Sequence, residues 1–548
     1  METTIPLVMA RIVDIGIQNH NQSFVIRAGL FMVAMASFSL FCGAMCGRIS
    51  SLAAFGFSKN LRKKLFKRVQ DFSFSNMDNF GTDSLVTRLT TDVTNLQNMY
   101  QNIIRTAVRS PVMLIFGTVM ATIINPQLAL IFFIVIPILA VVLITIVLIV
   151  YPRFREMLKK YDNLNRVVQE NLIAIRVVKS FVRGEYENAK FDKIADELQR
   201  TQVGAEKIVI LNLPIMQVMI YACITSALWF GGNLVIAKKM QTGELISFIS
   251  YITQILMSLM MLSRLFVMFI MSRTSLSRIM EILNEKIEIR NNNLEITDSS
   301  NNTPLDISFQ NVAFAYDKKL EHAVLSDINL SIPKGSTVGI LGGTGSSKST
   351  LVQLIPRLYE TTKGSVFVGG KDVREWDLNL LRKKIGFVLQ KNILFSGTIA
   401  ENLRWGNKNA SMEELISACK MADAHGFISS FPKGYDTDLG QGGVNLSGGQ
   451  KQRLCIARAL VKKPEILILD DSTSAVDTAT DLRIRSALRE ALPNTTKIII
   501  AQRIASVQDA DFIVVLENGK INAIGKHNEL LSQNQIYREV YESQMSEN

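Results

Sequence analysis

A glycine-rich run in the C-terminal half has the residue types and spacing of a phosphate-binding loop. The strand-like residues 338–341 lead into residues 342–350, which read GGTGSSKST, and a helical pattern follows. This matches GxxxxGK[ST], except that Ser347 stands where the second glycine is expected. Glycines let backbone N–H groups turn toward phosphate, Lys348 can reach terminal phosphates, and the Ser349 hydroxyl can bind Mg²⁺. The run predicts a phosphate site, and the alternative is an accidental Gly/Ser turn before a helix.

Two further motifs follow in the order that phosphate chemistry requires. Residues 466–469 form an apolar strand-like run that leads directly into Asp470 and Asp471. Asp470 is placed to hold Mg²⁺ directly or through water, and Asp471 is placed where a water-activating base would sit. Between the two motifs, residues 445–453 read NLSGGQKQR. Three independent motifs in the right order leave little room for an accidental match.

Charge and hydropathy indicate that much of the chain lies in a membrane. The 548 residues include 60 Lys plus Arg against 48 Asp plus Glu, a formal charge of +12. The mean hydropathy is +0.21, and the apolar residues are crowded into the N-terminal half, which is not typical of a wholly soluble protein. The five cysteines form no CxxC pattern, which argues against a disulfide scaffold or zinc site and fits a reducing cytosol.

Five apolar runs are candidates for membrane spans. They are residues 28–47, 110–124, 128–151, 208–237 and 245–263. The second run reaches spanning length only when it is extended back past Arg109 and Arg105. Residues 1–13 are apolar but too short to cross a bilayer, and no signal-peptide n-region precedes them. We therefore expect them to be the last half of a first span that begins upstream.

Basic residues predict how these spans are oriented. Residues 48–105 and 153–207 are rich in Lys and Arg, and the other connections have few or none, so both basic connections should be cytoplasmic. Both read as helix throughout, which predicts helices that continue beyond the bilayer. The basic run 59–68 lies beside a span, which favours anionic lipid or simple solvation over nucleic acid as its partner. We therefore expect no nucleic-acid partner.

The second half of the chain has the pattern of an α/β domain. Polar and Asn-rich residues at 284–303 predict a linker between a membrane domain at 1–283 and a soluble domain at 304–548. Strand-like segments of the soluble part lie at 306–315, 336–341, 385–389, 466–469, 497–500 and 512–516, with helical patterns between several of them.

Over essentially its whole length the chain resembles a half-transporter of the ATP-binding cassette (ABC) exporters. The resemblance implies an all-α transmembrane domain of the type I exporter kind, with six spans of which the first is truncated here. That domain is fused to an α/β P-loop NTPase nucleotide-binding domain. The resemblance further implies ATP and Mg²⁺ as cofactors, and a multi-pass protein of the plasma membrane with the nucleotide-binding domain in the cytoplasm.

The resemblance also assigns roles to individual residues. ATP binding falls to an aromatic that stacks on adenine, the Walker A loop and the Q-loop: Tyr316, Gly342, Gly343, Thr344, Gly345, Ser346, Ser347, Lys348, Ser349, Thr350 and Gln390. The residues implied for Mg²⁺ are Ser349, Gln390 and Asp470. A signature motif implied to complete the ATP site of a second subunit consists of Leu446, Ser447, Gly448, Gly449 and Gln450. Asp477 falls in the D-loop of the dimer interface, and residues 81–92 and 176–183 resemble coupling helices.

Two catalytic positions depart from the family pattern. Asp471 stands where the family usually has glutamate, and Gln502 stands where it usually has the switch histidine. The four histidines are far from the switch in sequence: His20, His322, His425 and His527. Neutral drift is one reading. The other is specialised degeneracy, because both changes affect hydrolysis while the binding residues are kept. This combination resembles the weaker subunit of heterodimeric exporters.

The expected function is ATP-driven export of lipophilic, multidrug-like or lipid-like compounds, with a different half-transporter as partner and a hydrolytically weak site in this chain. The last span and its extension carry side chains that make deformable apolar surfaces: Met257, Met260, Met261, Phe266, Met268, Phe269 and Met271. Ordinary helix packing or lipid contact also explains such residues. Three rival functions stay open: an importer built on the exporter fold, such as one for siderophores, an ATP-gated regulator or channel, and a homodimeric transporter.

Overall fold

The computed structural model describes residues 2–291, 305–472 and 474–546, and it divides into two compact units. The first unit contains the chain up to Gln70 together with Asp83–Glu285. The second contains Asp71–Thr82 together with the chain from Lys286 onward. The short segment Asp71–Thr82 therefore groups with the C-terminal half, although the sequence predicts it within the membrane domain. Most of the predicted linker, from 292 to 303, lies outside the described residues.

The first 285 residues are helical. In chain order the α-helices are α1 (Ile5–Arg11), α2 (Gln22–Gln70), α3 (Phe74–Phe80), α4 (Thr82–Thr87), α5 (Val93–Asn102), α6 (Val108–Ile124), α7 (Pro126–Ile173), α8 (Ile175–Ser180), α9 (Gly184–Ile210), α10 (Asn212–Ile236) and α11 (Thr242–Asn284). Short π-helical segments at Ile12–Ile17, Arg88–Asp92 and Ile103–Ala107 connect some of them.

Within the described residues, five helical segments are long and apolar enough to cross a membrane. They are Gln22–Gln70, Thr82–Ile124, Pro126–Ile173, Gly184–Ile236 and Thr242–Asn284. Each contains one of the five predicted apolar runs, so the prediction of five spans is confirmed. The turn between the second and third is set locally, because Asn125 Oδ1 accepts hydrogen bonds from the N–H groups of Gln127 and Leu128 and Pro126 starts α7.

The core of the first unit lies where α6, α7, α10 and α11 meet. Its largest fully buried side chains include Phe132, Phe248 and Tyr251. The N-terminal apolar residues are helical and lie against α11. There the buried Asp14 Oδ1 accepts a 2.7 Å hydrogen bond from Gly243 N, and the Ser247 hydroxyl donates to the Pro6 carbonyl. Asp14 thus satisfies an N–H in the first turn of α11 that has no partner within the helix.

The second unit contains three sheets. The strands are β1 (Ile307–Phe314), β2 (Leu325–Ile332), β3 (Thr337–Leu341), β4 (Lys363–Val368), β5 (Lys371–Asp372), β6 (Ile385–Val388), β7 (Gly397–Thr398), β8 (Asp438–Leu439), β9 (Ile466–Asp470), β10 (Thr496–Ile500), β11 (Phe512–Glu517) and β12 (Lys520–Gly525). The largest sheet has the order β12-β11-β3-β10-β9-β6, and an antiparallel sheet has the order β2-β1-β4-β5. β7 and β8 form a small third sheet. All six predicted strands are present.

Helices cover the large sheet, and two of them begin within the sequence motifs, at Lys348 and at Gly448. They are α12 (Lys348–Gln353), α13 (Leu378–Lys384), α14 (Ile399–Arg404), α15 (Met412–Met421), α16 (His425–Ser429), α17 (Gly448–Val461), α18 (Thr478–Ala491), α19 (His527–Gln533) and α20 (Gln535–Ser546). The neighbours β11, β3, β10, β9 and β6 run parallel, so their carboxyl ends meet at one edge of the sheet. The predicted site residues that follow β3, β6, β9 and β10 are therefore brought together at that edge.

Candidate nucleotide-binding site

The loop from β3 to α12 has an open backbone that can approach a ligand closely. A Cβ added at Gly342 would lie 2.3 Å from the Leu516 carbonyl oxygen, so only glycine fits there. At Gly343 and Gly345 an added Cβ would meet nothing within 4 Å, and Gly345 has φ +86°. The loop ends at the N-terminus of α12, where unpaired N–H groups and the helix dipole favour an anion. This geometry suits a phosphate chain.

Ser347, which stands where the motif has its second glycine, adopts a strained backbone conformation. It has φ +67° and ψ 26°, which is the left-handed conformation. That conformation costs a residue with a Cβ roughly 1–2 kcal/mol. The glycine usual at this position avoids the cost, so the serine is tolerated but not neutral.

Replacing Ser347 with glycine should therefore stabilise the soluble domain by about 0.5–1 kcal/mol, because relief of strain outweighs the extra flexibility of the unfolded chain. Thermal unfolding of the purified transporter, with and without ATP, measures the change. Ser346→Gly is the matched control: Ser346 lacks a positive φ, and its hydroxyl donates to the Gly343 carbonyl at 2.8 Å, so this variant should be destabilised. Equal destabilisation by both variants would contradict the strain argument.

The side chain of Lys348 is hydrogen-bonded to the backbone of the phosphate-binding loop. Its Nζ donates to the carbonyl oxygens of Gly342 and Gly343, both at 2.8 Å. Burial lowers the pKa of Lys348, and the nearby carboxylates of Asp471 and Asp470 oppose that shift. The ammonium group thus lies within the loop that is predicted to receive phosphate, where a negatively charged ligand would favour its charged form.

The end of β9 supplies a carboxylate suited to a cation. Asp470 is 1 % exposed, and its Oδ1 accepts a 2.8 Å hydrogen bond from the Ser349 hydroxyl. Burial raises the pKa of Asp470, and the hydrogen bond from Ser349 and the charge of Lys348 offset that shift only in part. Over the described residues no cluster of three or more His, Cys, Asp or Glu could hold a metal ion. Mg²⁺ in nucleotide sites is bound by one or two protein groups plus phosphates, and Ser349 with Asp470 has this composition.

Asp471 and Gln502, the two residues that depart from the family pattern, contact each other. Asp471 follows β9 and Gln502 follows the adjacent β10, and Gln502 Nε2 donates to Asp471 Oδ2 at 2.9 Å. Burial raises the pKa of Asp471, while hydrogen bonds from Gln390 and Gln502 lower it. The carboxylate that would activate water is therefore already hydrogen-bonded to the neutral amide of Gln502.

Tyr316 lies beside the phosphate-binding loop with about half of its surface exposed, and its hydroxyl is 2.9 Å from the Thr350 hydroxyl. Its ring makes an edge contact with Tyr359, with centroids 5.4 Å apart. Tyr359 in turn donates a 2.6 Å hydrogen bond to Asp78 of α3. Helix α3 immediately precedes the predicted coupling segment 81–92. Tyr359 and Asp78 were not identified from the sequence, because neither belongs to a motif.

The signature residues form the start of α17. The Ser447 hydroxyl accepts from Gln450 N, and Gln450 Oε1 accepts from Ser447 N at 2.9 Å, which makes a capping box. A Cβ added at Gly449 would lie 2.9 Å from the Ala475 carbonyl oxygen, so the helix packs closely on the D-loop. Leu446 is buried beneath this turn.

The D-loop is fixed by the helix that carries the signature. Buried Gln452 accepts from Ala475 N at 3.0 Å and donates to the Ser474 hydroxyl. The predicted interface residue Asp477 caps α18 by accepting from Thr480 N at 2.9 Å. Gln452 was not identified from the sequence as part of this contact. The helix that begins with the signature is therefore hydrogen-bonded directly to the D-loop.

Comparison with known proteins agrees with this geometry. A profile described as "ABC transporter transmembrane region" matches residues 1–259, and one described as "ABC transporter" matches residues 325–474. The uncharacterized ABC transporter ATP-binding protein YfiB of Bacillus subtilis (strain 168) is 38% identical over 539 residues, covering 98% of this chain and 93% of that protein. The chain belongs to the ABC transporter family.

Two further similarities extend over nearly the whole of this ABC transporter. The uncharacterized ABC transporter ATP-binding protein Rv1273c of Mycobacterium tuberculosis (strain ATCC 25618 / H37Rv) is 35% identical over 543 residues, covering 98% of this chain and 93% of that protein. The solved structure of a bacterial Atm1-family ABC exporter with ATP bound superposes with a TM-score of 0.86 at 24% identity, covering 99% of this chain and 95% of that one. The latter similarity establishes the fold.

This ABC transporter therefore has an exporter-type fold, with a helical membrane domain fused to an ATP-binding domain. It is an ATPase coupled to transport, and it is a multi-pass membrane protein with its nucleotide-binding domain in the cytoplasm. The fold class predicted from the sequence is confirmed.

Proposed function

We propose that this chain is the hydrolytically weak half of a heterodimeric exporter of lipophilic compounds. The observation that carries this proposal is the hydrogen bond between Gln502 Nε2 and Asp471 Oδ2. Both residues differ from the usual catalytic pair. The amide of Gln502 is hydrogen-bonded to the carboxylate of Asp471, so each group already has a partner. The remaining parts of the site, from Lys348 to Asp470, keep the chemistry needed to bind nucleotide.

The two departures affect hydrolysis more than binding. An aspartate carboxylate lies about 1 Å further from an attacking water than a glutamate carboxylate, and a misplacement of that size can cost on the order of 100-fold in rate. Gln502 can donate a hydrogen bond to a terminal phosphate but cannot become cationic, unlike histidine. Tyr316, Lys348 and Ser349 are retained for adenine, phosphate and metal. The site is therefore suited to hold ATP for long periods.

Mg²⁺ fits the same site and would be held by Ser349 and Asp470. Gln390 is the third residue that we propose as a Mg²⁺ ligand. When bound, it would neutralise charge on the phosphates. Ser349 and Asp470 already lie within hydrogen-bond distance of each other, which supports their assignment as a pair.

An intact signature motif gives the chain a second role, at the ATP site of its partner. Gly448 and Gly449 form the first turn of α17 after the capped Ser447, and the N–H groups of this turn, which have no partner within the helix, can face an incoming phosphate. In this arrangement the site built on the partner's Walker A loop performs most of the turnover. This chain contributes its signature to that turnover while its own site stays occupied.

The membrane domain supports a lipophilic cargo. An apolar cavity of about 570 Å³ lies among α5, α7 and α11 and the π-helical segment before α6, and its lining includes Phe266, Met268 and Phe269, three of the residues singled out from the sequence. Met257, Met261 and Met271 do not line this cavity and are exposed, as expected for ordinary contact with lipid or a partner. A cavity of this size and lining accepts a drug-sized apolar molecule.

The test begins with purification of the tagged chain from its own membranes in mild detergent. We expect a second, different half-transporter to co-purify, and lipophilic dyes or drugs to stimulate the ATPase activity of the pair. A polar solute such as a sugar or amino acid is the control and should have no effect. Isolation of an active homodimer, or stimulation by polar solutes alone, would contradict the proposal.

A further inference from the structure

A second cavity adjoins the apolar cavity and has a different character. It has a volume of about 320 Å³, and its lining includes Arg105, Arg109 and Arg264. Leu265 and Met268 line both cavities, so the two share a wall on α11. The basic cavity and the apolar cavity are therefore adjacent within the first unit, and together they are called the composite site below.

The arginines lie at the same end of the two helices that carry them. Arg109 directly precedes the apolar run of α6, and Arg264 directly follows the apolar run of α11. Because the nucleotide-binding domain that follows α11 is cytoplasmic, this end is the cytoplasmic one. Arg105 is one helical turn before Arg109 and belongs to the π-helical segment Ile103–Ala107, a distortion that is frequent at functional sites.

The positive charge of this cavity is only partly balanced. Arg109 forms a 2.6 Å ion pair with Glu2. Arg105 and Arg264 have no acidic partner in the ranges that the structure describes. Ser110 also lines the cavity, is 1 % exposed, and its Oγ has no hydrogen-bond partner within those ranges. The buried Ser110 hydroxyl is costly without a hydrogen-bond partner, and an anionic ligand would accept from it while balancing the charge of Arg105 and Arg264.

We propose that the composite site binds transported amphiphiles with an anionic head, such as a phosphate or carboxylate. The head lies among Arg105, Arg264 and the Ser110 hydroxyl, and the apolar tail occupies the cavity lined by Phe266 and Phe269. Guanidinium groups suit this role because their donors match the oxygens of phosphate and carboxylate in pairs. The proposal rests on the lipophilic export proposed above and narrows its substrate class.

The test uses the transporter with its co-purified partner in phosphatidylcholine nanodiscs. The two probes share a tail and differ in the charge of the head: oleoyl lysophosphatidic acid is anionic, and oleoyl lysophosphatidylcholine is zwitterionic. We expect the anionic probe to stimulate ATPase activity at a concentration about tenfold lower. The double variant Arg105→Gln/Arg264→Gln should abolish this difference by weakening only the response to the anionic probe.

Two variants serve as controls. One tests whether loss of any arginine on α11 has the same effect, and the other tests the contribution of the apolar tail. Arg273→Gln makes the same change at an exposed site of α11 outside both cavities, and it should leave the preference intact. Ala140→Phe fills the apolar cavity and should weaken the response to both probes equally. A preference that survives loss of both arginines, or equal responses of the unaltered transporter to both probes, would overturn the proposal.

Two further experiments distinguish a transported ligand from a structural lipid, and failure of this inference from failure of the proposed function. In proteoliposomes the anionic probe should move across the bilayer in an ATP-dependent manner. If phosphatidylglycerol in the bilayer reproduces the response and no such movement occurs, the ligand is a structural lipid and the assignment as a transport site is overturned. Stimulation by lipophilic dyes without a charge preference defeats this inference alone, whereas no stimulation by any lipophile defeats the proposed function.

Discussion

Replacing Gly448 with aspartate is expected to reduce the ATPase activity of the assembled transporter by about 100-fold or more, whereas Asp471→Ala should reduce it by no more than about twofold. The reason is the division of labour between the two sites. Gly448 begins α17 at the point where the signature would face the partner's ATP, and a carboxylate there repels phosphate. Asp471 belongs to the site that we propose to turn over slowly.

The structure allows this effect to be separated from misfolding. A Cβ added at Gly448 would lie 3.7 Å from the Ala475 Cβ, which is ordinary van der Waals contact. A negative charge in the first turn of a helix interacts favourably with the helix dipole, so Gly448→Asp should not destabilise α17. Ser447→Ala should impair turnover too, but it also removes the cap of α17 at a cost of about 1 kcal/mol.

Gly448→Ala is therefore the matched control, because it adds the Cβ without the charge and should retain most activity. Gly449→Ala is the contrasting case, since its Cβ would lie 2.9 Å from the Ala475 carbonyl oxygen and force the D-loop to shift. ATPase rates and thermal unfolding of the five variants, measured on the same preparations, check the expectation. Equal losses from Gly448→Asp and Asp471→Ala would refute the unequal division between the sites.

Much of the fold could be predicted because its strongest signals are local. Strand β9 is buried on both faces, so residues 466–469 form a continuous apolar run that needs no tertiary information to recognise. The membrane spans are equally local, since charge-free length alone distinguishes them. The phosphate-binding loop could be located because its glycines, lysine and serine have a fixed spacing.

The finer features of the site depend on contacts that sequence spacing does not reveal. The left-handed conformation of Ser347 is set by the path of the loop, and its residue type alone suggested no strain. The contact between Asp471 and Gln502 arises because β9 and β10 are neighbours in the sheet. Tyr359 contacts both Tyr316 and Asp78 because the fold brings these residues together, although they are distant in sequence.

Restoring the usual catalytic pair should activate the site that this chain carries. We expect the double variant Asp471→Glu/Gln502→His to raise ATP turnover at this site by about 10- to 100-fold. Glutamate extends the carboxylate by about 1 Å toward the attacking water, and histidine can carry a positive charge toward the terminal phosphate. The two changes also remove the 2.9 Å hydrogen bond that now occupies the carboxylate.

The activity of this site can be isolated with the signature variant described above. In a Gly448→Asp background the partner's site is silent, so the remaining turnover comes from the site built on Lys348 of this chain. The double variant should raise that residual rate, and a further Lys348→Ala change should abolish the gain. Each single change should give a smaller gain than the pair, because the two groups act on the same water and phosphate.

The Asp471→Glu change should also cost stability, so stability must be measured together with ATP turnover. Asp471 has φ +48°, and aspartate tolerates the left-handed region better than glutamate does. The Asp471→Glu change should therefore lower stability slightly even as it raises turnover, which thermal unfolding of the same sample would show. The nucleotide retained after rapid purification gives a second readout, because this site should shift from mostly ATP to mostly ADP. An unchanged residual rate with ATP still bound would mean that Asp471 and Gln502 do not limit hydrolysis here.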